Sequence, residues 1–157
     1  LDLYDPEWVI HTKSEERPGV EVGAAARVDG NLLCDGCRIY GQVTRSVIAP
    51  GVVVAEGAVV RDSILLTDTI VEAGAVVDRC IVDKSVRIGK EAMLGYGDDN
   101  QPNHTAPDLL NTGLTLVGRG VEIPAGAKIG RNVIIRPTVS ARQFGKDLTV
   151  ASGKALG

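Results

Sequence analysis

The sequence predicts an all-β fold, a parallel β-helix of triangular cross-section. A phrase that begins Gly51-Val52-Val53-Val54 returns at a fixed interval, so that Val54 corresponds to Val71 and then to Ile88. Within it, large aliphatic residues recur about every six positions, at Val54, Val60 and Leu65, and the small residue Ala58 precedes the second of them by two. Aromatic residues make up only 3% of the chain, which suits a narrow core. Because so short a repeat cannot bury its apolar side chains alone, successive copies must stack.

Each copy supplies three short sides, and the sequence predicts which residues face inward. Alternation of side chains along a strand places Val54 inside and Val53 and Ala55 outside. The equivalent inward positions of the next copies are Val71, Val77, Val82, Ile88 and Leu94. We expect about six turns. The spacing of about six residues with small residues between resembles the left-handed hexapeptide β-helix, and the expected handedness comes from that resemblance.

The repeat is interrupted once and ends before the chain does. After Leu94 the residues are rich in Gly, Asp, Asn and Pro, and the pattern resumes at Leu114. We therefore expect an insertion loop over 95–113 within a β-helix over 18–139, followed by a C-terminal tail over 140–157. Residues 1–17 contain the single Trp and precede the repeats. We expect them to be a linker or entry segment that packs against a partner domain which this chain lacks.

Composition narrows the functional classes. With a net charge of −3 and a pI of 5.4, the chain does not suggest nucleic-acid binding. It shows neither a signal peptide nor an apolar run of membrane length. Three cysteines without a pairing pattern fit a reducing compartment, so we expect a cytoplasmic protein without a membrane partner.

Cysteines and carboxylates give little sign of a metal site. Cys34 and Cys37 have ligand spacing, but no second pair accompanies them. We expect Cys37 to be a buried apolar residue at the position that Val54 occupies in the next copy of the repeat. Cys80 is expected to occupy the position that Ser46 and Ser63 hold in the earlier copies. The scattered carboxylates of the loop, Asp98, Asp99 and Asp108, are expected to be solvated charges.

The two histidines, His11 and His104, are too few for a three-histidine zinc site. His104 lies in the insertion loop, where a general base of a hexapeptide acyltransferase could lie, although an exposed loop histidine is the simpler interpretation. Asn103-His104-Thr105 matches a glycosylation motif, which has no meaning without secretion.

Two cations occupy equivalent positions in successive turns. Lys84 follows Val82 and Arg119 follows Val117, each by two residues. Adjacent exposed cations favour a phosphate group, so both are candidate effector-binding residues, with two solvated side chains as the alternative. The sequence contains no Gly-rich phosphate loop, and we expect no catalytic residues and no cofactor in this chain.

Several longer phrases resemble the carboxy-terminal part of bacterial glucose-1-phosphate adenylyltransferases. They are Leu3-Tyr4-Asp5-Pro6-Glu7-Trp8-Val9-Ile10, Ser46-Val47-Ile48-Ala49-Pro50-Gly51-Val52, Asp78-Arg79-Cys80-Ile81-Val82-Asp83-Lys84 and Leu110-Asn111-Thr112-Gly113-Leu114-Thr115-Leu116-Val117-Gly118. The likeness spans nearly the whole chain in the same order.

The resemblance implies a noncatalytic regulatory and oligomerisation domain. Its parent enzyme would join ATP and glucose 1-phosphate with Mg²⁺ to form ADP-glucose and pyrophosphate in glycogen biosynthesis, as a homotetramer. The same resemblance places basic effector-binding residues of the family on Lys84 and Arg119, for a sugar phosphate or a related anion. Two alternatives stay open: a free-standing hexapeptide acyltransferase, and the same domain of another sugar nucleotidyltransferase.

Overall fold

Stacked short strands form three parallel sheets that enclose one core. The computed structural model describes Glu7 and residues 16–157. In the described part, twenty strands of two or three residues alternate with turns, and the only helical segment is a 3₁₀ turn at Ala141–Gln143. The predicted all-β parallel solenoid is confirmed.

Each sheet takes every third strand along most of the stack, the last two strands extend two of the sheets, and the chain order is preserved throughout. Sheet A contains β1 (Glu21–Val22), β4 (Arg38–Ile39), β7 (Val53–Val54), β10 (Ile70–Val71), β13 (Arg87–Ile88) and β16 (Glu122–Ile123). Sheet B contains β2 (Arg27–Asp29), β5 (Gln42–Thr44), β8 (Val59–Arg61), β11 (Val76–Asp78), β14 (Met93–Leu94), β17 (Lys128–Ile129) and β19 (Thr149–Val150). Sheet C contains β3 (Leu32–Leu33), β6 (Val47–Ile48), β9 (Ile64–Leu65), β12 (Cys80–Val82), β15 (Thr115–Val117), β18 (Ile134–Ile135) and β20 (Ala155–Leu156).

The register confirms the repeat that the sequence predicts. On the three sheets, Val53 pairs with Ile70, Val59 with Val76 and Ile64 with Ile81, so the same interval along the chain separates each pair. We number the coils 1 to 7 by the strands of sheet C, from β3 to β20. The expectation of about six turns is too low, because the last coil carries a weaker apolar pattern than the others.

The residues predicted to face inward form the core. Val54, Val60 and Leu65 are fully buried, and so are their equivalents Val71, Val77 and Val82 of the next coil. Ala58, Ala75 and Ala92 are also fully buried, one per coil at the same corner. Val53 and Ala55 are half-buried, as expected for outward positions on a stacked surface.

Coil 2 is shorter than its neighbours by two residues. Ile39 and not Cys37 is aligned with Val54, so the position expected for Cys37 is wrong. The offset arises because only Tyr40 and Gly41 join β4 to β5, whereas four residues join β7 to β8. Cys37 is nevertheless fully buried, as expected. Its thiol donates to the carbonyl oxygen of Ala49 at 3.1 Å.

Cys80 continues a ladder of small polar residues, as the sequence predicts. The Ser63 amide donates to Oγ of Ser46 at 3.2 Å, and the Cys80 amide donates to Oγ of Ser63 at 3.0 Å. These side chains therefore satisfy backbone donors inside the corner between sheets B and C.

The insertion loop leaves at that same corner and lies against the last coils. β12 and β15 pair directly, Cys80 with Thr115, so the loop between them occupies no coil of its own. Asn103 is fully buried, and its Nδ2 donates to the carbonyl oxygens of Asn132 at 2.8 Å and Lys154 at 3.0 Å. Nδ2 of Asn132 in turn donates to the carbonyl oxygen of Gln101 at 2.9 Å. The loop is thus bound through buried amides.

The C-terminal segment over 140–157, expected to be a tail outside the repeats, contains strands of its own. β19 pairs with β17 and β20 with β18, which extends sheets B and C. Phe144, only 6% exposed, packs against the core together with Val139. This segment therefore covers the C-terminal end of the core.

Candidate functional site

Lys84 and Arg119 lie one above the other at the corner between sheets C and A. Val82 pairs with Val117, which places the two cations on equivalent positions of coils 4 and 5. The Gly120 amide donates to the carbonyl oxygen of Lys84 at 3.0 Å. Both cations are exposed.

A third cation extends this row. Arg136 directly follows Ile135 at the same corner of coil 6. It therefore lies one position closer to its strand of sheet C than Lys84 and Arg119, which follow theirs by two residues. Its amide donates to the carbonyl oxygen of Leu156 at 2.9 Å, and its side chain is exposed. The sequence offered a signal for it, because Ile135 continues the series of inward residues that Val82 and Val117 belong to. We call Lys84, Arg119 and Arg136 the cation row.

The cation row is suited to an anion of the phosphate class. Parallel coils are about 4.8 Å apart, so neighbouring cations can reach one phosphate group. Lys84 provides a point charge, whereas each guanidinium offers a planar pair of donors. One carboxylate lies beside the row: Oδ1 of Asp83 accepts from the Lys84 amide at 2.7 Å. The net charge of these four side chains is +2.

A second charged cluster, at the corner between sheets B and C, was not predicted. Asp78 accepts from Nε of Arg61 at 3.0 Å and from Nη2 of Arg131 at 2.9 Å. Burial alone would raise the pKa of Asp78, but these two hydrogen bonds outweigh it and hold the pKa below the ordinary 3.8. Since the partners come from three coils, only the register could have revealed them.

His104 lies on the surface near the C-terminal coils. Its amide donates to the carbonyl oxygen of Gly153 at 2.8 Å, and its Nδ1 is 3.5 Å from Nζ of Lys154. The adjacent Asn103 is fully buried, so the glycosylation motif is inaccessible in the folded chain. His11 and the aromatic segment around Trp8 lie outside the described residues.

The remaining candidates do not form a metal site in the described part of the chain. Asp98, Asp99 and Asp108 are exposed. In the described part of the chain, no group of three His, Cys, Asp or Glu side chains is placed to hold a metal ion. Nor does any helix there have the length and apolarity to cross a membrane.

The fold and the repeat define a hexapeptide-repeat β-solenoid domain. A family model described as GlmU-like, C-terminal hexapeptide, matches residues 19–117. The chain belongs to this family.

The relatives that match almost the entire chain include two glucose-1-phosphate adenylyltransferases. A glucose-1-phosphate adenylyltransferase of Thermomicrobium roseum is 56% identical over 157 residues, which cover 99% of this chain and 36% of the relative. One of Acetivibrio thermocellus is 37% identical over 156 residues, with the same two coverages. The chain thus spans about a third of the length of these relatives.

The solved structures that share the fold include two proteins described as acetyltransferases. A putative acetyltransferase from Desulfovibrio desulfuricans G20 superposes with a TM-score of 0.60 at 12% identity, over 80% of this chain and 24% of the other. The acetyltransferase domain of PglB from Neisseria gonorrhoeae FA1090 gives 0.52 at 22% identity, over 90% of this chain and 50% of the other. At such identities the likeness concerns the fold alone.

Proposed function

We propose that this chain is the regulatory and oligomerisation domain of a glucose-1-phosphate adenylyltransferase, wound as a left-handed β-helix. The observation that carries the proposal is the 56% identity over 99% of the chain to a protein of that name. The synthesis of ADP-glucose and pyrophosphate from ATP and glucose 1-phosphate, with its Mg²⁺, belongs to a catalytic domain elsewhere in the longer polypeptide. That polypeptide is a cytoplasmic homotetramer.

In this proposal the cation row binds a sugar phosphate that regulates the enzyme. Lys84 and Arg119 are exposed, one coil apart, and form no side-chain hydrogen bond or ion pair with the described residues. They can therefore bind a phosphate without first breaking an internal ion pair. A bisphosphate suits three cations on successive coils, because its two phosphates can be contacted from different coils.

The test is an effector titration of the full-length enzyme with Lys84 and Arg119 both changed to alanine. We expect the fructose 1,6-bisphosphate concentration for half-maximal response to rise at least about tenfold, the equivalent of about 1.4 kcal/mol of binding free energy. The matched control is Arg38→Ala, which removes an exposed cation from sheet A. An unchanged response in the double variant would remove the cation row from the effector site.

Calorimetry on the 157-residue chain separates the proposal from its main alternative. Titration with fructose 1,6-bisphosphate, fructose 6-phosphate and acetyl-coenzyme A at low salt compares the ligand classes directly. Sugar-phosphate binding that is lost in the double variant supports the regulatory site. Saturable coenzyme A binding would favour the acyltransferase function and direct attention to His104.

A further inference from the structure

A cleft opens where the insertion loop leaves the solenoid, at the corner between sheets B and C. It consists of two neighbouring cavities of about 440 Å³ and about 250 Å³, and both are lined by Asp78, Asp98 and Arg131. Asp78 ends β11, Arg131 lies in the turn between β17 and β18, and Asp98 belongs to the insertion loop. The cleft therefore has the solenoid on one side and the loop on the other, and such concave junctions are where small ligands bind.

Two carboxylates of the larger cavity already have partners. Asp62 accepts two hydrogen bonds of 2.7 Å from Arg45. Asp78 accepts from Arg61 at 3.0 Å and from Arg131 at 2.9 Å. The charges of Asp62 and Asp78 are therefore compensated within the chain.

Two other charged side chains of this cavity are uncommitted. Arg79 and Asp98 are exposed, and neither side chain forms a hydrogen bond or an ion pair with the described residues. A sphere of 440 Å³ is about 9 Å across, which is wider than a direct ion pair and leaves room for a ligand between the two groups. A free guanidinium offers a planar pair of donors to a carboxylate, whereas a free carboxylate accepts from an ammonium group.

The side chains that line the larger cavity converge over Gly113, where the loop returns to the solenoid. A Cβ added to Gly113 would lie 3.7 Å from Nη1 of Arg79, 3.5 Å from Cδ of Arg131 and 3.2 Å from Oδ1 of Asn100. Because Gly113 has no side chain, the space between these groups stays open. Nη1 of Arg131 is buried and has no hydrogen-bond partner among the described residues. A second guanidinium with an unmet donor therefore lies close to Arg79.

The smaller cavity supplies an apolar surface next to these charges. Val76 and Met93 are the paired outward residues of β11 and β14, and the ring of Tyr96 follows them, 49% exposed. Nζ of Lys128 lies 5.3 Å from the centroid of that ring, a cation–π contact that restrains it. A branched aliphatic side chain is small enough for a cavity of about 250 Å³.

We propose that this cleft binds a free α-amino acid with an apolar side chain. Arg79 binds its carboxylate, Asp98 binds its ammonium group, and Val76, Met93 and Tyr96 contact its side chain. A zwitterion matches the cleft better than a simple anion does, since an anion would leave Asp98 unpaired and close to a like charge. Both charged contacts are exposed, so each contributes little, and we expect a dissociation constant on the order of 1 mM.

This assignment goes beyond the proposed function, because the cleft and the cation row lie at different corners and share no residue.

The first experiment is a titration of the isotope-labelled 157-residue chain with L-leucine, followed by the NMR shifts of its backbone amides. L-leucinamide keeps the ammonium group and lacks the carboxylate, whereas 4-methylpentanoate keeps the carboxylate and lacks the ammonium group. We expect saturable leucine binding and at least about tenfold weaker binding of each analogue. No saturation by leucine at tens of millimolar would overturn the proposal. A 4-methylpentanoate affinity equal to that of leucine would also overturn it, because the ammonium group would then have no role.

The second experiment tests the two charged contacts by substitution. We expect Arg79→Gln and Asp98→Asn each to weaken leucine binding at least about tenfold. The matched controls are Arg38→Gln on sheet A and Asp108→Asn elsewhere in the loop, and both are expected to retain the wild-type affinity. All four side chains are exposed, so the fold is expected to persist in every variant. Equal effects in the test variants and the controls would contradict the site.

The outcome is independent of the effector assignment. The variant with Lys84 and Arg119 both changed to alanine is expected to bind leucine as the wild type does. If leucine binds while the effector titration fails, the cleft stands and the regulatory role of the cation row is wrong. If the effector titration succeeds while leucine does not bind, the proposed function stands and the cleft proposal is wrong.

Discussion

Nη2 of Arg131 donates a hydrogen bond of 2.9 Å to Oδ2 of Asp78, although 53 residues separate the two in the chain. Arg131 also donates through Nε to the carbonyl oxygen of Gly97 at 2.7 Å, so one side chain binds both the solenoid and the start of the insertion loop. Its Nη1 is buried and has no hydrogen-bond partner among the described residues. Arg131 therefore depends on Asp78 as its carboxylate partner.

Changing Asp78 to asparagine should destabilise the fold by about 2–4 kcal/mol, because it leaves the largely buried guanidinium of Arg131 without a compensating charge. Chemical denaturation measures the free energy of unfolding. Asp62→Asn is the control, since Asp62 pairs with the exposed Arg45 at 2.7 Å. An exposed pair contributes at most about 1 kcal/mol. Equal losses in the two variants would contradict the special role of Asp78.

Acid should destabilise the chain through the same carboxylates. Hydrogen bonds from arginines hold the pKa of Asp62 and Asp68 below the ordinary 3.8, as they do for Asp78 despite its burial. A lowered folded-state pKa stabilises the native state above the unfolded value, and that contribution disappears as pH falls through the folded value. We expect the thermal midpoint to be nearly level above about pH 5 and to fall steeply below about pH 4. A flat midpoint down to about pH 3 would contradict this.

Replacing Asn103 with alanine should release the insertion loop. The change removes two hydrogen bonds to the solenoid and leaves the carbonyl oxygen of the buried Asn132 without its side-chain donor, whereas that of Lys154 still accepts from the Ile134 amide. A cost of about 2–3 kcal/mol is expected, along with faster proteolysis within 95–113. Asn111→Ala is the matched control, because Asn111 is exposed and its side chain donates only within the loop, to Pro107. Similar cleavage rates in both variants would show that Asn103 does not hold the loop.

Gly41→Ala should disrupt coil 2. A Cβ there would overlap the carbonyl oxygen of Ala58 and lie 2.7 Å from that of Ala55. The backbone must shift, so we expect a loss of about 2 kcal/mol or more. Gly19→Ala has nothing within 4 Å of its added Cβ and should be nearly neutral. Thermal unfolding of the two variants distinguishes these outcomes, and a neutral Gly41→Ala would contradict the close stacking.

Thiol reactivity should separate the three cysteines. Burial raises the pKa of Cys37 and of Cys80, and both side chains are fully buried. Cys34 is only half-buried. In the native chain at about pH 8 we expect one thiol to react with a chromogenic disulfide, and all three after denaturation. Mass spectrometry should locate the fast label on Cys34, and rapid labelling of Cys80 would contradict the buried ladder.

Periodicity was sufficient for the core and failed where the period changes. Val54, Val60 and Leu65 could be assigned because a phase error of one residue would turn them outward. Cys37 was misplaced because two residues are missing from one corner, and no local signal marks a shortened turn. The Asp78–Arg131 pair could not be foreseen, since its separation depends on where the insertion leaves and returns.

The insertion leaves and returns at a single corner, which separates a residue's height in the stack from its number in the chain. The chain between Cys80 and Thr115 is more than twice as long as that between Ser63 and Cys80, yet both pairs differ by one rung. A corner can therefore gain or lose a loop while every column below keeps its neighbours. The position of a residue on the outer surface therefore depends on the rung that carries it and not on its number in the chain. A ligand or partner that spans several rungs would tolerate length changes at the corners that it does not contact.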